Sequence, residues 1–296
     1  MSKHIFWLAS YPKSGNTLIR AILSSLFFTE NGIFNLKLLE SIRQFESTYN
    51  IFKAKDLLGD DLYKLNNVSI LYKYLLKVQE KDILNYREDF KFFKTHSGNF
   101  SINNNPFTSE ENIRGIIYVI RDPRDVCISW TNHTGKSFDD SIDFMTNELQ
   151  SLLWVEGKNN LFSDKTMPAS FLSSWDKHVI SWTSNKWKVP LLIIKYEDLL
   201  NKKEETIRAI INFFTNNYGF KFQNLDKKMI NVLKSTSFQS LKSEESRDGF
   251  IEAKDGRQFF KSGKEMQWLN KLSTKQIFRI EDKFKTVMNR FNYKIS

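Results

Sequence analysis

The sequence predicts an α/β fold of three layers, α/β/α, in which helices cover both faces of a central parallel sheet. Four short apolar runs have the length of buried strands, and apolar residues at helical spacing separate each run from the next. Strands that alternate with helices are typical of a parallel sheet covered on both faces. Three of the runs lead into Lys13, His96 and Arg121. Because ligands of such sheets gather at the carboxyl ends of the strands, we expect a functional site there.

The predicted strands are residues 5–9, 90–95, 115–120 and 190–196. Residues 31–89, between the first two, are mostly polar with Leu and Ile every three or four residues, which predicts a helical segment. Residues 138–187 predict one or two helices, the second of which carries Trp175, His178, Val179 and Trp182.

The last third of the chain carries three further local patterns. Residues 201–204, Asn-Lys-Lys-Glu, have the pattern of a capping box before a helix. Residues 240–263 are polar and contain Gly249, Gly256 and Gly263, which predicts a mobile surface loop. Residues 264–290 predict a final amphipathic helix.

Length and composition bound the class of protein. The 296 residues, 41% of them hydrophobic, suit one domain over residues 1–296 with a real core. The only cysteine, Cys127, cannot form an internal disulfide, which favours a reducing compartment. No apolar run is long enough for a membrane span, and no small-residue cleavage site follows the first one. We therefore expect a cytoplasmic protein.

The net charge of +10 favours an anionic partner. Nucleic acid, a phosphorylated cofactor and an acidic glycan all satisfy this condition. The lysines are spread along the chain and do not form a basic tail, so most of them are expected to lie on a solvated surface.

The first predicted strand leads into a tight turn that has the features of an anion-binding loop. The turn reads Tyr-Pro-Lys-Ser-Gly from position 11 to 15, and apolar residues at helical spacing start at Leu18. A helix N-terminus presents free backbone N–H groups and a positive dipole end to an anion. Gly15 lets a phosphate approach the backbone closely, and Lys13 adds a mobile cation. The alternative is an ordinary strand-to-helix turn with a surface lysine.

This loop differs from a Walker A loop, Gly-x-x-x-x-Gly-Lys-Ser/Thr, because its lysine precedes a single glycine. Residues 11–17 instead match, at every position, the 5′-phosphosulfate loop Tyr-Pro-Lys-Ser-Gly-Thr/Asn-Thr, so the stretch resembles the sulfotransferases. That family transfers a sulfuryl group from 3′-phosphoadenosine-5′-phosphosulfate (PAPS) to an acceptor and releases 3′-phosphoadenosine-5′-phosphate (PAP). The resemblance implies a P-loop-like phosphosulfate-binding loop in which the cofactor contacts Lys13, Ser14, Gly15, Asn16, Thr17 and Leu18.

A second motif follows the third predicted strand. Asp122 is expected to cap a helix with Pro123 at its first position, and Asp125 supports the cap. Arg121 then lies at the strand end and Ser129 two turns into the helix. A guanidinium binds phosphate through two hydrogen bonds, although a structural arginine–aspartate pair is the alternative. Residues 121–129 resemble the family's 3′-phosphate motif, Arg-x-Pro-x-Asp-x-x-x-Ser, which implies that Arg121 and Ser129 bind that phosphate.

The second predicted strand closes with Lys94-Thr95-His96, which resembles the family's Lys-Thr-His, whose histidine is the catalytic base. An imidazole titrates near neutrality and can accept a proton from an attacking hydroxyl. A lone histidine at a strand end is more often structural, but beside the other motifs we expect His96 to be catalytic. Lys94 is expected to line the same site, whereas His133 and His178 are expected to be structural.

Three stretches resemble the part of the family that holds the nucleoside. The Tyr-Glu-Asp at 196–198 resembles a signature whose tyrosine lies near the adenine, which implies this place for Tyr196. The Thr-Ser-Phe at 236–238 resembles a segment that lines the base pocket with Thr236 and Phe238, although a phenylalanine there is often only core. Many family members carry a tryptophan at the position of Leu18, where it stacks on the adenine.

Residues 259–268 resemble the family's Arg-Lys-Gly-x-x-Gly-x-Trp, with Lys261, Gly263 and Trp268 aligned. Lys261 stands for the arginine, Ser262 for the lysine and Met266 for the second glycine. The resemblance implies that residues 261–263 bind the cofactor, and a lysine still neutralises a 3′-phosphate but loses the bidentate fork. The dimerisation pattern Lys-x-x-x-Thr-Val-x-x-x-Glu of the animal cytosolic enzymes is not visible, which leaves the oligomeric state open.

The resemblance spans residues 5 to about 270, with its motifs in family order, and implies a PAPS-dependent sulfotransferase of the cytosolic or bacterial type. His96 would deprotonate a hydroxyl or amine of a small-molecule or glycan acceptor, while Lys13 and Lys94 complete the catalytic set. No metal is expected, because no His/Cys/Asp cluster has ligand spacing. Nucleic acid is not expected as a partner. The alternatives are a P-loop nucleotide kinase or NTPase and a non-catalytic basic binding protein.

Overall fold

The computed structural model describes residues 3–153, 168–184, 186–250, 252–253 and 258–296. Its strands are β1 (Ile5–Ser10), β2 (Lys91–Thr95), β3 (Ser101–Ile102), β4 (Asn105–Pro106), β5 (Ile113–Ile120), β6 (Ser151–Leu153), β7 (Ala169–Phe171) and β8 (Leu191–Lys195). The central sheet has the order β2-β1-β5-β8, and β1 pairs with β2 in parallel, with Ile5 opposite Lys91 and Ala9 opposite Thr95. These are the four predicted strands. The predicted α/β fold, a central parallel sheet flanked by helices, is confirmed.

The α-helices are α1 (Asn16–Phe28), α2 (Thr48–Ile51), α3 (Lys55–Leu58), α4 (Val68–Val78), α5 (Lys81–Leu84), α6 (Pro123–Thr134), α7 (Phe138–Thr146), α8 (Trp175–Thr183), α9 (Tyr196–Asn201), α10 (Lys203–Tyr218), α11 (Leu225–Ser235), α12 (Phe238–Asp248) and α13 (Thr274–Arg290). Short 3₁₀ helices cover Leu36–Ser41, Phe52–Ala54, Gly59–Lys64 and Gln267–Asn270. The predicted helical character of residues 31–89 is therefore confirmed, in short pieces. No helix in the described ranges is long and apolar enough to cross a membrane.

Two local predictions are wrong, and two short hairpins were missed. The hairpins β3–β4 and β6–β7 were not predicted, because strands of two or three residues carry no periodicity that a sequence window can detect. Residues 201–204 form no capping box: the cap of α10 is Lys202, without a side-chain hydrogen bond, and the Asn201 amide donates to Glu265 at 2.8 Å. Residues 240–248 belong to α12 and not to a mobile loop. Gly256 lies outside the described residues.

The chain divides into two compact units. The first comprises Met1–Tyr11, Arg43–Tyr118 and Asp143–Leu191. The second comprises Pro12–Ile42, Val119–Ile142 and Leu192–Ser296. The single domain over residues 1–296 stays a prediction.

The first unit is built around the Trp7 ring on β1 and the aromatic rings that pack against it. The Trp7 ring centroid lies 5.2 Å from those of Phe45 and Phe107 and 6.2 Å from that of Trp182. These four side chains are at most 1% exposed. Such packing of large rings contributes several kcal/mol, on the order of 1.5–3 kcal/mol for each fully buried side chain. The Phe93 ring of β2 joins the same group, 6.1 Å from the Trp7 ring and 5.5 Å from the Phe45 ring, and His96 follows three residues later.

Candidate functional site

From Pro12 onwards the anion-binding loop belongs to the second unit, and two of its residues have left-handed backbone. Lys13 has φ 66° and Gly15 has φ 104°, and Gly15 is the N-cap of α1. A Cβ at Gly15 would lie 2.4 Å from the Tyr196 ring. Only glycine therefore fits between the start of α1 and this ring. Because glycine has no side chain that could cap the helix, the first-turn N–H groups remain suited to an anion.

Arg121 directly follows β5 and is 5% exposed. Its Nη1 donates to the Lys13 carbonyl at 3.1 Å and its Nη2 to the Lys264 carbonyl at 3.4 Å. The guanidinium carbon lies 4.2 Å from the centre of the Tyr196 ring. The structure thus brings the predicted arginine, lysine and tyrosine into one cluster. Arg121 links the loop to residues 259–268, here called the C-terminal motif.

Two buried donors in this unit fit an anionic ligand. Among the described residues, neither the Ser14 hydroxyl nor the Arg121 Nε has a hydrogen-bond partner. Buried polar groups are nearly always paired, so two unpaired donors beside a helix N-terminus indicate a ligand that accepts hydrogen bonds. The residues present therefore fit the phosphate groups that the sequence motif implies.

Two residues that sequence analysis did not single out contact the predicted loop. The Lys13 ammonium lies 3.9 Å from the centre of the Phe259 ring, a cation–π contact. The carboxylate of Glu252 accepts from the Thr17 hydroxyl at 3.2 Å and also pairs with Arg20. A carboxylate on Thr17 would repel a phosphate, so a bound nucleotide needs a rearranged Glu252. No local pattern around either position signals these long-range contacts.

The predicted 3′-phosphate residues are carried by α6 and the C-terminal motif. Asp122 caps α6 by accepting from the Arg124 N–H at 2.9 Å, with Pro123 at the first position, as predicted. Ser129 lies on the same helix. The Lys261 ammonium donates to the Asn132 side chain at 3.3 Å, which brings Lys261 to the helix that carries Ser129.

Asp125 lies in the first turn of α6, as predicted, but its carboxylate binds a distant segment of the chain. The carboxylate accepts from the backbone N–H groups of residues 266, 267 and 268, at 2.7, 2.9 and 3.3 Å. The Met266 backbone is left-handed, with φ 56°. Met266 therefore adopts the left-handed conformation expected of the glycine in the family pattern. Asp125 anchors this segment, which follows Lys261 and Gly263.

The predicted base-pocket residues share one apolar cluster. Leu18 and Phe238 both pack against a buried group made of Ala21, Phe34, Leu39, Leu241 and Phe260. Gly263 approaches Phe238 so closely that a Cβ would lie 2.5 Å from its ring. Thr236 is fully buried, and its hydroxyl donates to the Val232 carbonyl of its own helix at 2.7 Å. The Thr236 hydroxyl is therefore engaged in the fold, while Leu18 and Phe238 remain available as apolar walls.

We expect Leu18→Trp to tighten PAP binding several-fold. An aromatic–base stack is worth about 1–3 kcal/mol, and leucine provides apolar burial without the π-face. Calorimetry with PAP measures the effect, and Leu18→Ala, which should weaken binding, is the matched control. Phe250 and Phe259 pack on the same cluster as Leu18. If one of these rings fills the space, the tryptophan variant binds PAP more weakly with an intact circular dichroism spectrum, and the missing-stack interpretation is wrong.

His96 belongs to the first unit and is 7% exposed. Its Nδ1 lies 2.8 Å from the Ser10 carbonyl oxygen and 3.3 Å from the Ser10 hydroxyl. Because a carbonyl only accepts, Nδ1 carries the proton and Nε2 keeps its lone pair. A ring in this tautomer is prepared to accept a proton through Nε2. Lys94, 3% exposed, lies two residues earlier on β2 and on the same face of the strand.

His178 is fully buried on α8 and contacts the backbone of His96. Its Nε2–H donates to the His96 carbonyl at 3.0 Å, and its Nδ1 accepts from the Tyr118 hydroxyl at 2.9 Å. Burial lowers the pKa of His178 to about 4, so the ring is neutral near pH 7. His178 thus has a specific structural role: it is a buried, neutral side chain that fixes the His96 carbonyl by a hydrogen bond.

No group of three or more His, Cys, Asp or Glu side chains within the described ranges is arranged to hold a metal ion. A metal-free reaction stays a prediction. The buried donors around the loop are N–H and O–H groups, which suit an anion and not a cation.

Comparison with known proteins places the chain in a family. The family model for the sulfotransferase domain matches residues 3–292. Luciferin sulfotransferase of Photinus pyralis is 26% identical over 290 residues, which cover 93% of this chain and 69% of that protein. Sulfotransferase 2A6 of Mus musculus is 25% identical over 185 residues, 60% of this chain and 57%, less than two thirds, of that protein.

Two solved structures share the fold. Retinol dehydratase in complex with androsterone and the inactive cofactor PAP has a TM-score of 0.61 and 17% identity, over 97% of this chain and 81% of that chain. Mouse sulfotransferase SULT7A1 complexed with PAP has a TM-score of 0.57 and 17% identity, over 99% and 86% of the two chains. At this identity the similarity shows a common fold.

Proposed function

Since the chain belongs to the sulfotransferase domain family, whose activity is PAPS-dependent sulfuryl transfer to a small-molecule acceptor, we propose that it sulfates a hydroxyl or amine group with His96 as the general base. A carbohydrate acceptor is the second possibility within the same activity. The observation that carries the proposal is a pair of buried donors, Ser14 Oγ and Arg121 Nε, which have no partner in the part of the chain that the structure describes and lie beside a loop with the family sequence.

PAPS supplies an activated sulfuryl group. His96 accepts the proton of the acceptor through Nε2, while Nδ1–H stays on the Ser10 carbonyl. The acceptor would form a bond to sulfur while the bond from sulfur to the 5′-phosphate oxygen breaks and PAP leaves. Lys13 and the N–H groups at the start of α1 would stabilise the negative charge that develops on this oxygen and on the sulfuryl oxygens. We assign Lys94 to the orientation of the acceptor group, because it shares the strand face of His96.

The residues that hold the nucleotide fall into three groups. Lys13, Ser14, Gly15, Asn16 and Thr17 hold the 5′ end. Arg121, Ser129, Lys261, Ser262 and Gly263 hold the 3′-phosphate, where the basic side chains neutralise its charge. Leu18, Tyr196 and Phe238 hold the nucleoside, whereas Thr236 is fully buried and its hydroxyl donates to the Val232 carbonyl. The assignment of Tyr196 includes a second role, because its ring supports both Gly15 and Arg121.

The kinase alternative is not favoured. Lys13 precedes the single loop glycine, whereas a Walker A lysine follows its second glycine. A competition assay between PAP and ATP-Mg²⁺ distinguishes the two functions, and we expect PAP to bind more tightly.

A reducing compartment suits Cys127, because burial raises the pKa of its thiol to about 12. A cytoplasmic location stays a proposal.

An acceptor screen with isotopically labelled PAPS, read by mass spectrometry, tests the proposed function. The panel contains androsterone, retinol, luciferin, 4-nitrophenol, an alkylamine and a short oligosaccharide, and unlabelled PAP serves as the competing control. We expect labelled product with at least one acceptor and its loss in excess PAP. PAP binding without any labelled product would favour a non-catalytic binding protein.

Arg121→Ala is expected to weaken PAP binding far more than AMP binding. A hydrogen bond to a charged group contributes about 1.5–3 kcal/mol, roughly a 10- to 150-fold change in Kd, and AMP has no 3′-phosphate. Calorimetry with both ligands measures the difference. Arg208→Ala is the control, since Arg208 forms an exposed pair with Glu204 on α10. Equal losses for PAP and AMP would show that Arg121 acts only through the Lys13 and Lys264 carbonyls.

A further inference from the structure

Both neighbours of His96 donate to one buried carboxylate. The Thr95 hydroxyl donates to Glu46 Oε1 at 2.6 Å, and the Ser97 hydroxyl donates to the same oxygen. The Thr95 hydroxyl also accepts from the Ser97 N–H at 2.9 Å. Because side chains alternate along an extended chain, this arrangement turns residues 95 and 97 to one side and His96 to the other.

Glu46 is itself fixed by backbone pairing. The Phe45 N–H donates to the Lys94 carbonyl at 2.8 Å, and the Lys94 N–H donates to the Arg43 carbonyl at 2.9 Å. Gln44 donates through Nε2 to Glu46 Oε2 at 2.5 Å. The segment around Glu46 therefore runs beside the end of β2 and delivers the carboxylate to residues 95 and 97.

No positively charged side chain among the described residues pairs with the buried Glu46 carboxylate. Glu46 is fully buried and forms no ion pair there; burial raises its pKa, and its hydrogen bonds oppose that rise. A buried carboxyl without a cation costs stability compared with an apolar side chain of similar volume. Its benefit must therefore lie in what it orients.

We propose that Glu46 is a positioning residue that holds His96 in the orientation and tautomer required of a general base, acting through Thr95 and Ser97. His96 is then held from three directions: Glu46 fixes its neighbours, the Ser10 carbonyl holds Nδ1–H, and His178 holds its carbonyl. Trp182 adds a fourth tie by donating to the Ser97 carbonyl at 2.9 Å. The inference rests on the proposed function only for the consequence in turnover.

Turnover and PAP affinity of Glu46→Ala and Glu46→Gln provide the first test. We expect Glu46→Ala to lower kcat by about 10- to 100-fold through misplacement of His96, with the Kd for PAP within twofold. Glu46→Gln should stay within threefold of the parent, because its amide oxygen still accepts both hydroxyls. Its amide N–H can donate to Gln44 Oε1, a buried atom with no hydrogen-bond partner among the described residues, after rotation of the Gln44 amide.

A mutant cycle and a spectrum distinguish positioning from stability. Thr95→Val with Ser97→Ala should lose as much kcat as Glu46→Ala, and the triple variant no more, because the same contacts are already absent. In ¹⁵N-histidine spectra, His96 should be the Nδ1–H tautomer in the parent and a mixture in Glu46→Ala. Glu281→Ala, which removes a buried carboxylate from Arg124, should lower stability without changing the His96 signal.

The outcomes separate the two proposals. A parent with no sulfuryl transfer contradicts the proposed function, and the tautomer of His96 then decides the positioning role without turnover. If Glu46→Ala fails to fold, the Thr95/Ser97 double variant decides. A parent-like His96 signal with kcat within threefold in the variants that fold, or fully additive losses in the cycle, would overturn the inference.

Discussion

Replacing His96 by alanine is expected to lower turnover by about 10²–10⁴-fold while PAP affinity stays nearly unchanged. The ring is held through Nδ1–H on the Ser10 carbonyl, so in the proposed reaction Nε2 is the atom that would accept the proton of the acceptor. The hydrogen bonds described for His96 go to Ser10 and His178 in the first unit. The donors suited to phosphate, which have no partner among the described residues, belong to the second unit. Steady-state kinetics and calorimetry with PAP measure the two effects.

Two further variants sharpen this test. His96→Asn keeps an N–H near the position of Nδ1 but has no basic nitrogen, so it should be as inactive as the alanine variant while retaining the Ser10 contact. His133→Gln, on the half-buried face of α6, should retain the parental turnover. Turnover of His96→Ala within threefold of the parent would remove the histidine from the reaction and leave its hydrogen bonds as purely structural.

The central strands could be predicted because their signal is local. Each is a short apolar run, almost wholly buried in β1 and β5 and partly buried in β8, and the functional residues that follow three of the runs lie within a few positions of the strand end. The cap of α6 was predictable for the same reason, since Asp122, Pro123 and the helix start are adjacent. Element boundaries moved by one or two residues: the third strand begins at Ile113 and the fourth ends at Lys195, where Tyr196 already opens α9.

The supporting residues of the site could not be predicted, because their partners are distant in the chain. Glu46 meets Thr95 across 49 positions, and Asp125 meets Met266 across 141. From the sequence alone, an isolated acidic residue such as Glu46 is expected to be exposed. Only tertiary packing makes its carboxylate a buried acceptor of hydrogen bonds from hydroxyl groups. Asp125 also fits the local cap pattern, but its carboxylate accepts hydrogen bonds from three backbone N–H groups of the C-terminal motif.

Lys13→Ala is expected to lower kcat by about 10²–10³-fold and to change the Kd for PAP by less than threefold. The ammonium should stabilise charge that develops during transfer, and PAP lacks the sulfuryl group that carries part of this charge. In the structure the ammonium rests on the Phe259 ring, while the Lys13 carbonyl, which accepts from Arg121, fixes the loop. The side chain and the backbone of Lys13 therefore have separate tasks, and alanine removes only the first.

The effect of Lys13→Ala does not include a change in backbone strain. Lys13 already has φ 66°, and alanine, which also has a Cβ, has the same strain in that conformation. Lys13→Met is the matched control for length, since it keeps an unbranched chain over the Phe259 ring and lacks the charge. It should be as slow as the alanine variant. Lys13→Arg should recover part of kcat, because the charge returns in a wider, planar group. If kcat at saturating PAPS is unchanged and only PAP affinity falls, Lys13 is a ground-state anchor, and the developing charge must be stabilised by the N–H groups at the start of α1.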